Sequence, residues 1–383
     1  MIRSMKTRVR RVAAPGLALA ALGIAGPAPA CAAEAPPTPV TVTRDFDGAI
    51  EDGQVGRAYD ISGMACRPAD ADGTRLCVVV NDENRGAQFA RLGETTLTPG
   101  ASAYDLGTAP SPGIRGTPPA QSHCSGGSGK FNQLDGEAVA YAEPYFYVTG
   151  SHGCTRGKRK YKLSSMILTR LRPNADGTAA AETVSTYRLF DALMAAGPVR
   201  DFVLRDLEFD WNARPPQGTP QPNGLNVEGL AVVGGRLYAG LRAPSLDGKA
   251  FLVSVPVAAL FAEGPAALSA DVATIALEAG PDAGIRDLTI LPDGRMLVLT
   301  GSSRNGLPVP YRLSLADLPS GTLTPVATLA PVRGETETGK VIDGKAEAAV
   351  PLGPDRILVL FDSLRNGAPH AYAVSIPPAL TPP

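Results

Sequence analysis

The chain has 383 residues, 44% of them hydrophobic, and its 36 basic residues nearly balance its 37 acidic ones. The first 30 residues contain five of the basic residues and no acidic one, so the remainder is acidic. This charge argues against nucleic acid as a partner. No stretch reaches the roughly 18 consecutive apolar residues of a transmembrane helix, which predicts a soluble domain without a membrane span.

The N-terminus has the composition of an export signal. Basic residues between positions 3 and 11 precede an uncharged stretch, residues 12–30, whose apolar centre is too short to span a bilayer. Small residues at 28 and 30 supply a cleavage pattern. We therefore expect a signal peptide at 1–30 and a mature domain at 31–383 that is periplasmic or secreted and monomeric. Lipidation at Cys31 is left open.

Four cysteines remain in the mature part, namely Cys66, Cys77, Cys124 and Cys154. An exported chain meets an oxidising compartment, which favours disulfides. Three connectivities are possible, and we favour the local one, in which Cys66 pairs with Cys77 and Cys124 with Cys154. With the second pair, His123 and His152 offer a zinc site as the weaker alternative.

A short motif recurs five times along the chain. Each copy has a polar residue, usually a carboxylate, at its third position, and small and apolar residues follow. The copies are residues 60–65, 135–140, 226–231, 285–290 and 345–350. A turn and a second apolar strand follow each copy, and third and fourth strands are recognisable in most units. Four short antiparallel strands that recur predict the blade of a β-propeller.

We therefore predict an all-β fold, a single propeller with five four-stranded blades. The last unit has only three strands, and residues 39–44 form an orphan strand at the start of the mature domain. This strand is expected to close the ring and so to remove an exposed sheet edge. Six blades are the alternative if residues 204–212 contain a degenerate blade. Irregular insertions are expected near 109–132 and 198–223.

The third position of the motif defines a candidate site. If the motif begins the innermost strand of each blade, these side chains ring one mouth of the central channel, and the small residues after them let neighbouring backbones approach. The ring consists of Ser62, Glu137, Glu228, Asp287 and Glu347. The second strand runs back antiparallel, so its last residues reach the same mouth. They include His152, Arg242 and Asp362.

Carboxylates drawn together repel one another unless cations, protons or arginines neutralise them. Arg242, Arg286 and Lys345 can do so, as can Ca²⁺, which accepts several oxygen ligands without strict geometry. The predicted metal ligands are Glu137, Glu228, Asp287 and Glu347. The predicted ligand-binding set adds Arg242, Arg286, His152 and Asp362. A basic run at residues 156–162 would attract an anion to this mouth, and a purely structural ring is the alternative.

Several segments together resemble the bacterial proteins called domain of unknown function 3616. They are residues 146–152 with the basic run, 226–231, 236–244 with 247–249, and 284–288. The likeness extends over about residues 40–378 and implies a secreted β-propeller. The segment Glu-Gly-Leu-Ala at 228–231 is also similar to that of esterase-like phytase propellers, which implies calcium and a phosphorylated substrate, although Ser62 departs from that pattern.

These observations predict an exported β-propeller that binds a small anionic or metal-linked ligand at an acidic channel mouth. A calcium-dependent phosphoesterase is one alternative, in which a carboxylate-held cation polarises the phosphoryl group. A non-catalytic scaffold that binds a protein or a glycan is the other. The sequence leaves open whether the protein is an enzyme.

Overall fold

The computed structural model describes residues 36–107, 109, 113–119, 124, 126–128, 131, 133–154, 160–203, 224–304 and 307–378. The expected signal peptide, Cys31 and the segment 204–212 lie outside these residues, as do His123 and most of the basic run. The predicted insertions at 109–132 and 198–223 also fall largely outside them.

The strands are short and are labelled in chain order. Before the first blade come β1 (Thr38–Pro39), β2 (Thr41–Val42) and a hairpin of β3 (Asp47–Glu51) and β4 (Gln54–Arg57). Blade 1 consists of β5 (Ile61–Cys66), β6 (Arg75–Asn81), β7 (Gly86–Leu92) and β8 (Thr96–Asp105). Two short strands follow, β9 (Ile114–Arg115) and β10 (Gly126–Ser128).

Blade 2 consists of β11 (Gly136–Ala142), β12 (Tyr145–Gly150), β14 (Leu168–Pro173) and β15 (Ala180–Thr186). Strand β13 (Lys160–Lys162) lies outside this blade and pairs with β10. Blade 3 consists of β16 (Asn226–Val233), β17 (Arg236–Leu246), β18 (Lys249–Pro256) and β19 (Ala273–Glu278). The α-helices of the described chain are α1 (Arg188–Ala195), between blades 2 and 3, and α2 (Val257–Leu260), between β18 and β19.

Blade 4 consists of β20 (Ala283–Ile290), β21 (Met296–Ser302), β22 (Arg312–Asp317) and β23 (Thr322–Thr328). A hairpin of β24 (Arg333–Glu335) and β25 (Val341–Asp343) leads to blade 5. Blade 5 consists of β26 (Lys345–Pro351), β27 (Arg356–Asp362) and β28 (His370–Ala373). The protein is thus a five-bladed β-propeller, as predicted.

Each blade buries both faces of its sheet against its neighbours. One apolar cluster joins blade 3 to blade 4 and includes Leu252 and Val298. Another joins blade 1 to blade 5 and includes Val79 and Leu358. Strands that are covered on both sides read as continuous apolar runs, because both sets of side chains are buried. Residues 76–80 of β6 are one such run and are at most 3% exposed.

The N-terminal segment closes the ring. Strand β1 pairs antiparallel with β28 and supplies the fourth strand of blade 5. Strand β2 then pairs with β8 of blade 1, and Val40 between them is buried and donates its N–H to Pro369. The predicted closing strand therefore exists, divided between the last blade and the first, and covers an edge of each sheet.

Both predicted disulfides are present, Cys66 to Cys77 and Cys124 to Cys154. The first joins paired positions of β5 and β6. The second joins the insertion before blade 2 to the chain just after β12. Because both thiols of the second pair are bonded to each other, the zinc alternative is wrong. In the part of the chain that the structure describes, no helix is long and apolar enough to cross a membrane.

Candidate functional site

One mouth of the channel is formed where the first strand of each blade begins and the second strand ends. The paired residues at this level are Ile61 with Asn81, Gly136 with Gly150, Asn226 with Ala243, Ala283 with Ser302, and Lys345 with Asp362. We call this end the polar mouth.

Every first strand has a β-bulge near its beginning, where one residue has no partner on the second strand. The bulged residues are Ser62, Glu137, Glu228, Arg286 and Glu347. A bulge changes the direction of a side chain and bends the strand. The ring thus contains Arg286 in blade 4, where the sequence motif predicts Asp287.

The glycines that follow the bulge permit close approach of neighbouring blades. A Cβ added to Gly63 would lie 2.9 Å from the carbonyl oxygen of Glu137 in blade 2. At Gly229 it would lie 2.9 Å from the side chain of Leu288 in blade 4. Both distances are shorter than a carbon atom tolerates, which explains why the motif requires small residues here.

Asp287 occupies the corresponding small-residue position of blade 4 and has a different role from the ring. Its carboxyl accepts the N–H of Leu288 at 2.8 Å and the N–H of Ala349 at 2.7 Å. The second bond joins blade 4 to blade 5. Burial raises the pKa of Asp287 well above its ordinary value, although the two N–H donors oppose this change.

A chain of buried ion pairs crosses the polar mouth. Glu228 accepts from Arg242 at 2.7 Å and from Arg286 at 2.8 Å, and Arg286 also contacts Glu347. All four side chains are at most 5% exposed. Asn226 donates at 2.7 Å to Oε1 of Glu228, the oxygen that Arg242 contacts. The arginines thus neutralise two of the predicted carboxylates and connect blades 3, 4 and 5.

The two arginines differ in their electrostatic surroundings. Burial would lower the pKa of Arg242, but the charge of Glu228 outweighs burial, so the pKa is raised. Burial and the charge of Arg242 lower the pKa of Arg286. The charge of Glu137 also acts on Arg242, which places the blade 2 carboxylate near this chain.

A second cluster of carboxyl groups lies between blades 5 and 1. The carboxyls of Asp60 and Asp362 are hydrogen-bonded to each other, and Asp60 also bonds to Glu83. Lys345 donates to Asp362 at 2.7 Å. Two carboxyl groups can form a hydrogen bond only if one of them carries a proton, so the pair of Asp60 and Asp362 shares a proton.

The surroundings decide where this proton resides. Burial, the bond to Asp362 and the charge of Asp82 raise the pKa of Asp60 to about 9. Burial would also raise the pKa of Asp362, but Lys345 and the bond from Asp60 hold it at about 2. Burial raises the pKa of Glu83 as well. At neutral pH, Asp60 is therefore the proton donor and Asp362 the charged acceptor.

Tyr311 adds a hydroxyl group close to the ion pairs. Burial raises the pKa of its hydroxyl, whereas the charges of Arg286 and Arg242 oppose this change. Its ring packs on Gly301 of β21, where a Cβ would clash with it. Because its pKa is raised, the hydroxyl is protonated at neutral pH and can donate a hydrogen bond.

Apart from atoms that form ion pairs, three polar atoms of Asn226, Arg286 and Glu347 have no hydrogen-bonding partner within the described part of the chain. They are Oδ1 of Asn226, Nε of Arg286 and Oε2 of Glu347. The three residues are at most 4% exposed. Buried polar atoms are costly when unpaired, so each of these atoms leaves a hydrogen bond unmade.

His152 does not join the ion pairs. It is fully buried, and its Nε2 lies 3.0 Å from the hydroxyl oxygen of Thr149. Burial lowers the pKa of His152 to about 3, so its ring is neutral at neutral pH. Its role in ligand binding stays a prediction.

The described residues contain no group of three or more His, Cys, Asp or Glu side chains that is arranged to hold a metal ion. Of the four predicted metal ligands, Glu228 and Glu347 contact arginine, and Asp287 accepts two backbone N–H groups. Calcium binding by these carboxylates therefore stays a prediction without a supporting contact.

The predicted set of site residues did not include Asp60, Glu83 or Tyr311. Asp60 is the first residue of the first motif copy, and Glu83 lies two residues after the end of β6. Their positions in the sequence are the signal that could have indicated both. Asp60 is at the first position of its motif copy, whereas the predicted ring consists of residues at the third position. Tyr311 lies just before β22, and no sequence pattern indicates it.

Several solved structures are similar to the chain at low sequence identity. They include a GH43 β-1,3-galactosidase, with a TM-score of 0.42, 9% identity, and coverage of 88% of this chain and 58% of that one. An exo-β-1,3-galactanase from Clostridium thermocellum has a TM-score of 0.41 and 12% identity, with coverage of 87% and 61%. The chain thus spans less than two thirds of the length of these two structures.

An aldose sugar dehydrogenase from Streptomyces coelicolor has a TM-score of 0.36 and 12% identity, with coverage of 90% of this chain and 99% of that one. No curated protein sequence matches the chain significantly. A family model described as protein of unknown function, DUF3616, matches residues 219–307, which include three of the segments that indicated this resemblance. The chain is therefore a five-bladed β-propeller that carries the sequence pattern of the DUF3616 family in blades 3 and 4.

Proposed function

We propose that the protein binds a small polar ligand at the polar mouth of its channel. The unpaired buried atoms of Asn226, Arg286 and Glu347 are the observation that carries this proposal. They offer one donor and two acceptors next to a proton-sharing carboxyl pair. A ligand with hydroxyl or amino groups would pair with these atoms and recover the free energy that their burial costs.

The charges of the mouth favour a neutral or cationic ligand. The described carboxyl groups of the mouth include Asp60, Asp82, Glu83, Glu137, Glu228, Glu347 and Asp362. Its described basic groups include Arg242, Arg286, Arg304 and Lys345. The three arginines already contact carboxylates. An anionic ligand, which the sequence predicts, would have to displace these carboxylates.

Thermal unfolding in the presence of a ligand panel tests this proposal. The panel contains neutral oligosaccharides, a polyamine and a sugar phosphate. A ligand that binds only the folded protein stabilises it by about 2.7 kcal/mol at a hundred times its Kd. We expect a neutral or cationic member to raise Tm, and stabilisation by the sugar phosphate alone would contradict the proposal.

A pair of variants locates the binding. Asp362→Asn at the polar mouth should abolish the rise in Tm caused by the ligand. Asp355→Asn is the matched control, because Asp355 is exposed and precedes the opposite end of β27. Loss of the ligand effect in both variants, or in neither, would place binding elsewhere.

Acid–base catalysis is a second candidate function, favoured by the pair of Asp60 and Asp362. Their pKa values, about 9 and about 2, keep one group protonated and the other charged over the neutral range. Catalytic acids and bases are recognised by environments that separate their pKa values in this way. Asp60 would then donate a proton to a leaving group, and the oxygen of Asp362 would keep Asp60 oriented.

Hydrolysis of unactivated disaccharides, with para-nitrophenyl phosphate for comparison, tests this second function. A general acid contributes about a hundredfold to ten-thousandfold to a rate. Asp60→Asn should therefore lower turnover of a glycoside by at least about a hundredfold while the ligand still raises Tm. Phosphate turnover that depends on calcium would instead favour the phosphoesterase alternative.

We also propose that the protein is exported. The two disulfides support this proposal, because such bonds persist in oxidising compartments. Residues 1–30 would then be absent from the mature protein. N-terminal sequencing of protein recovered from the periplasm or the medium tests this, and a chain that retains residues 1–30 would contradict it. Thermal unfolding with a chelator and re-added Ca²⁺ tests the calcium prediction in the same preparation.

A further inference from the structure

The end of the channel opposite the polar mouth contains a cavity of about 440 Å³. It is lined by the C-terminal parts of the first strands of all five blades and by the turn between β5 and β6. Ligand sites typically have volumes of about 300 to 1,000 Å³. We call this space the far cavity. It is separate from the polar mouth, because each first strand begins at one end of the channel and ends at the other.

The walls of the far cavity are mainly apolar. Each blade contributes at least one large apolar side chain, and these include Met64, Val139, Leu230, Leu288, Ile290 and Val350. The small side chains of Ala65 and Ala142 leave room between them. Apolar walls with few polar groups are typical of sites for small organic molecules.

The charged groups of the far cavity are few and leave a positive balance. Arg67, Arg75 and Glu143 line it. The Nε of Arg67 is buried and has no partner among the described residues. Its terminal nitrogen binds Asp70, which also binds Arg91, so one carboxylate is shared by two guanidinium groups. Arg75 donates to the carbonyl oxygens of Pro351 and Leu352, which carry no charge.

A hydroxyl group lies near this positive charge. Burial and the charge of Glu143 raise the pKa of Tyr141, which lines the cavity, and the charge of Arg67 opposes them. The hydroxyl is therefore protonated and can donate a hydrogen bond. Arg67 and Tyr141 together offer donors for a single anionic group at one wall of a mainly apolar space.

We propose that the far cavity binds an amphipathic carboxylate, a small molecule with an apolar body and one carboxylate group. The apolar body would occupy the space between the five strands, where burial contributes about 25 cal/mol per Å². The carboxylate would accept from Nε of Arg67 and from Tyr141. Two features support this class of ligand, the apolar walls and the unpaired donor beside them.

Isothermal titration calorimetry with octanoate and octanol tests this proposal on the purified protein. Octanoate should bind saturably at one site per chain and at least fivefold more tightly than octanol, which has the same body without the charge. Arg67→Gln should reduce the octanoate affinity to that of octanol. Ala142→Phe places a ring in the cavity and should weaken both ligands at least tenfold.

Arg85→Gln is the matched control, because Arg85 has a surface ion pair and a buried unpaired Nε in the same blade but does not line the cavity. It should leave both affinities unchanged. If Ala142→Phe does not fold, Arg67→Gln alone decides the test. No saturable heat with octanoate, or equal octanoate affinity in the wild type and Arg67→Gln, would overturn the proposal. Asp362→Asn should bind octanoate normally, which separates this site from the polar mouth.

Discussion

Glu228 lies between two buried guanidinium groups, and its single negative charge balances part of their positive charge. Glu228→Gln keeps the shape but leaves Arg242 and Arg286 without this balance. Removing one partner of a buried ion pair costs about 3 to 5 kcal/mol, so we expect a loss of at least about 3 kcal/mol in the free energy of unfolding. Chemical denaturation measures it.

The control for this prediction is Glu278→Gln in the same blade. Glu278 pairs with Lys249 at 3.6 Å, and both side chains are substantially exposed. Exposed pairs contribute at most about 1 kcal/mol. Equal effects of the two substitutions would show that the ion-pair chain does not stabilise the fold.

Asp60 makes the stability depend on pH between its pKa values in the unfolded and the folded chain. Its pKa in the folded protein is about 9, whereas an aspartate in an unfolded chain has a pKa of about 3.9. The stability contributed by this proton is therefore fully present below about pH 4 and is lost as the pH rises toward 9. We expect Asp60→Asn to have a higher Tm than the wild type at pH 9, and the difference to disappear near pH 4.

Thermal unfolding across this pH range checks the prediction, with Asp355→Asn as the control, because Asp355 is exposed. A difference in Tm between Asp60→Asn and the wild type that does not change with pH would contradict a raised pKa of Asp60.

The motif predicts the ring residue correctly in blades 1, 2, 3 and 5. In blade 4 it predicts Asp287, whereas the ring contains Arg286. The reason is the bulge, which shifts the register by one residue and which residue types do not indicate. In blade 4, Arg286 and Asp287 are both polar, so the motif was aligned on the acidic one. Leu288 at the predicted small position was the signal of this shift, because the position is small in the other blades.

At the scale of elements, close contact between first strands makes the small residues of the motif necessary. A Cβ at Gly63 would lie 2.9 Å from a backbone oxygen and 3.0 Å from a backbone carbon of blade 2. Backbone atoms cannot rotate away, so Gly63→Ala should destabilise the protein by about 1 to 3 kcal/mol. Gly353→Ala is the control, because its nearest neighbour lies 3.8 Å away.

Denaturation of both glycine variants checks this prediction. If Gly63→Ala is as stable as Gly353→Ala, the first strands are farther apart than described.

The strands themselves could be predicted because they are apolar runs bounded by turn residues. The carboxyl cluster could not, because it joins Asp60 of blade 1 to Asp362 of blade 5, which are distant in sequence.

At the scale of the whole molecule, the propeller depends on closure by β1 and β2. A chain that begins at residue 44 lacks both strands and exposes the edges of β28 and β8. Unpaired edges favour association between chains. We expect this chain to have a lower Tm and to aggregate, whereas a chain that begins at residue 36 should be monomeric and stable.

Size-exclusion chromatography and thermal unfolding compare the two truncated chains. A stable monomer of the shorter chain would show that the ring does not need this closure.

The number of blades was predictable because five motif copies recur, and the closing strand was predictable because blade 5 had one strand too few. The placement of the N-terminal segment on two blades was not, because each of its strands has only two residues.

At neutral pH, we expect the polar mouth to hold a protonated Asp60 beside a charged Asp362, next to buried ion pairs and unpaired polar atoms. Carbon NMR of the Asp60 carboxyl as a function of pH, in the wild type and in Asp362→Asn, measures this protonation. We predict a pKa of about 9 in the wild type and a markedly lower value in the variant. A pKa of Asp60 near that of an exposed aspartate, about 3.9, in both proteins would contradict the account.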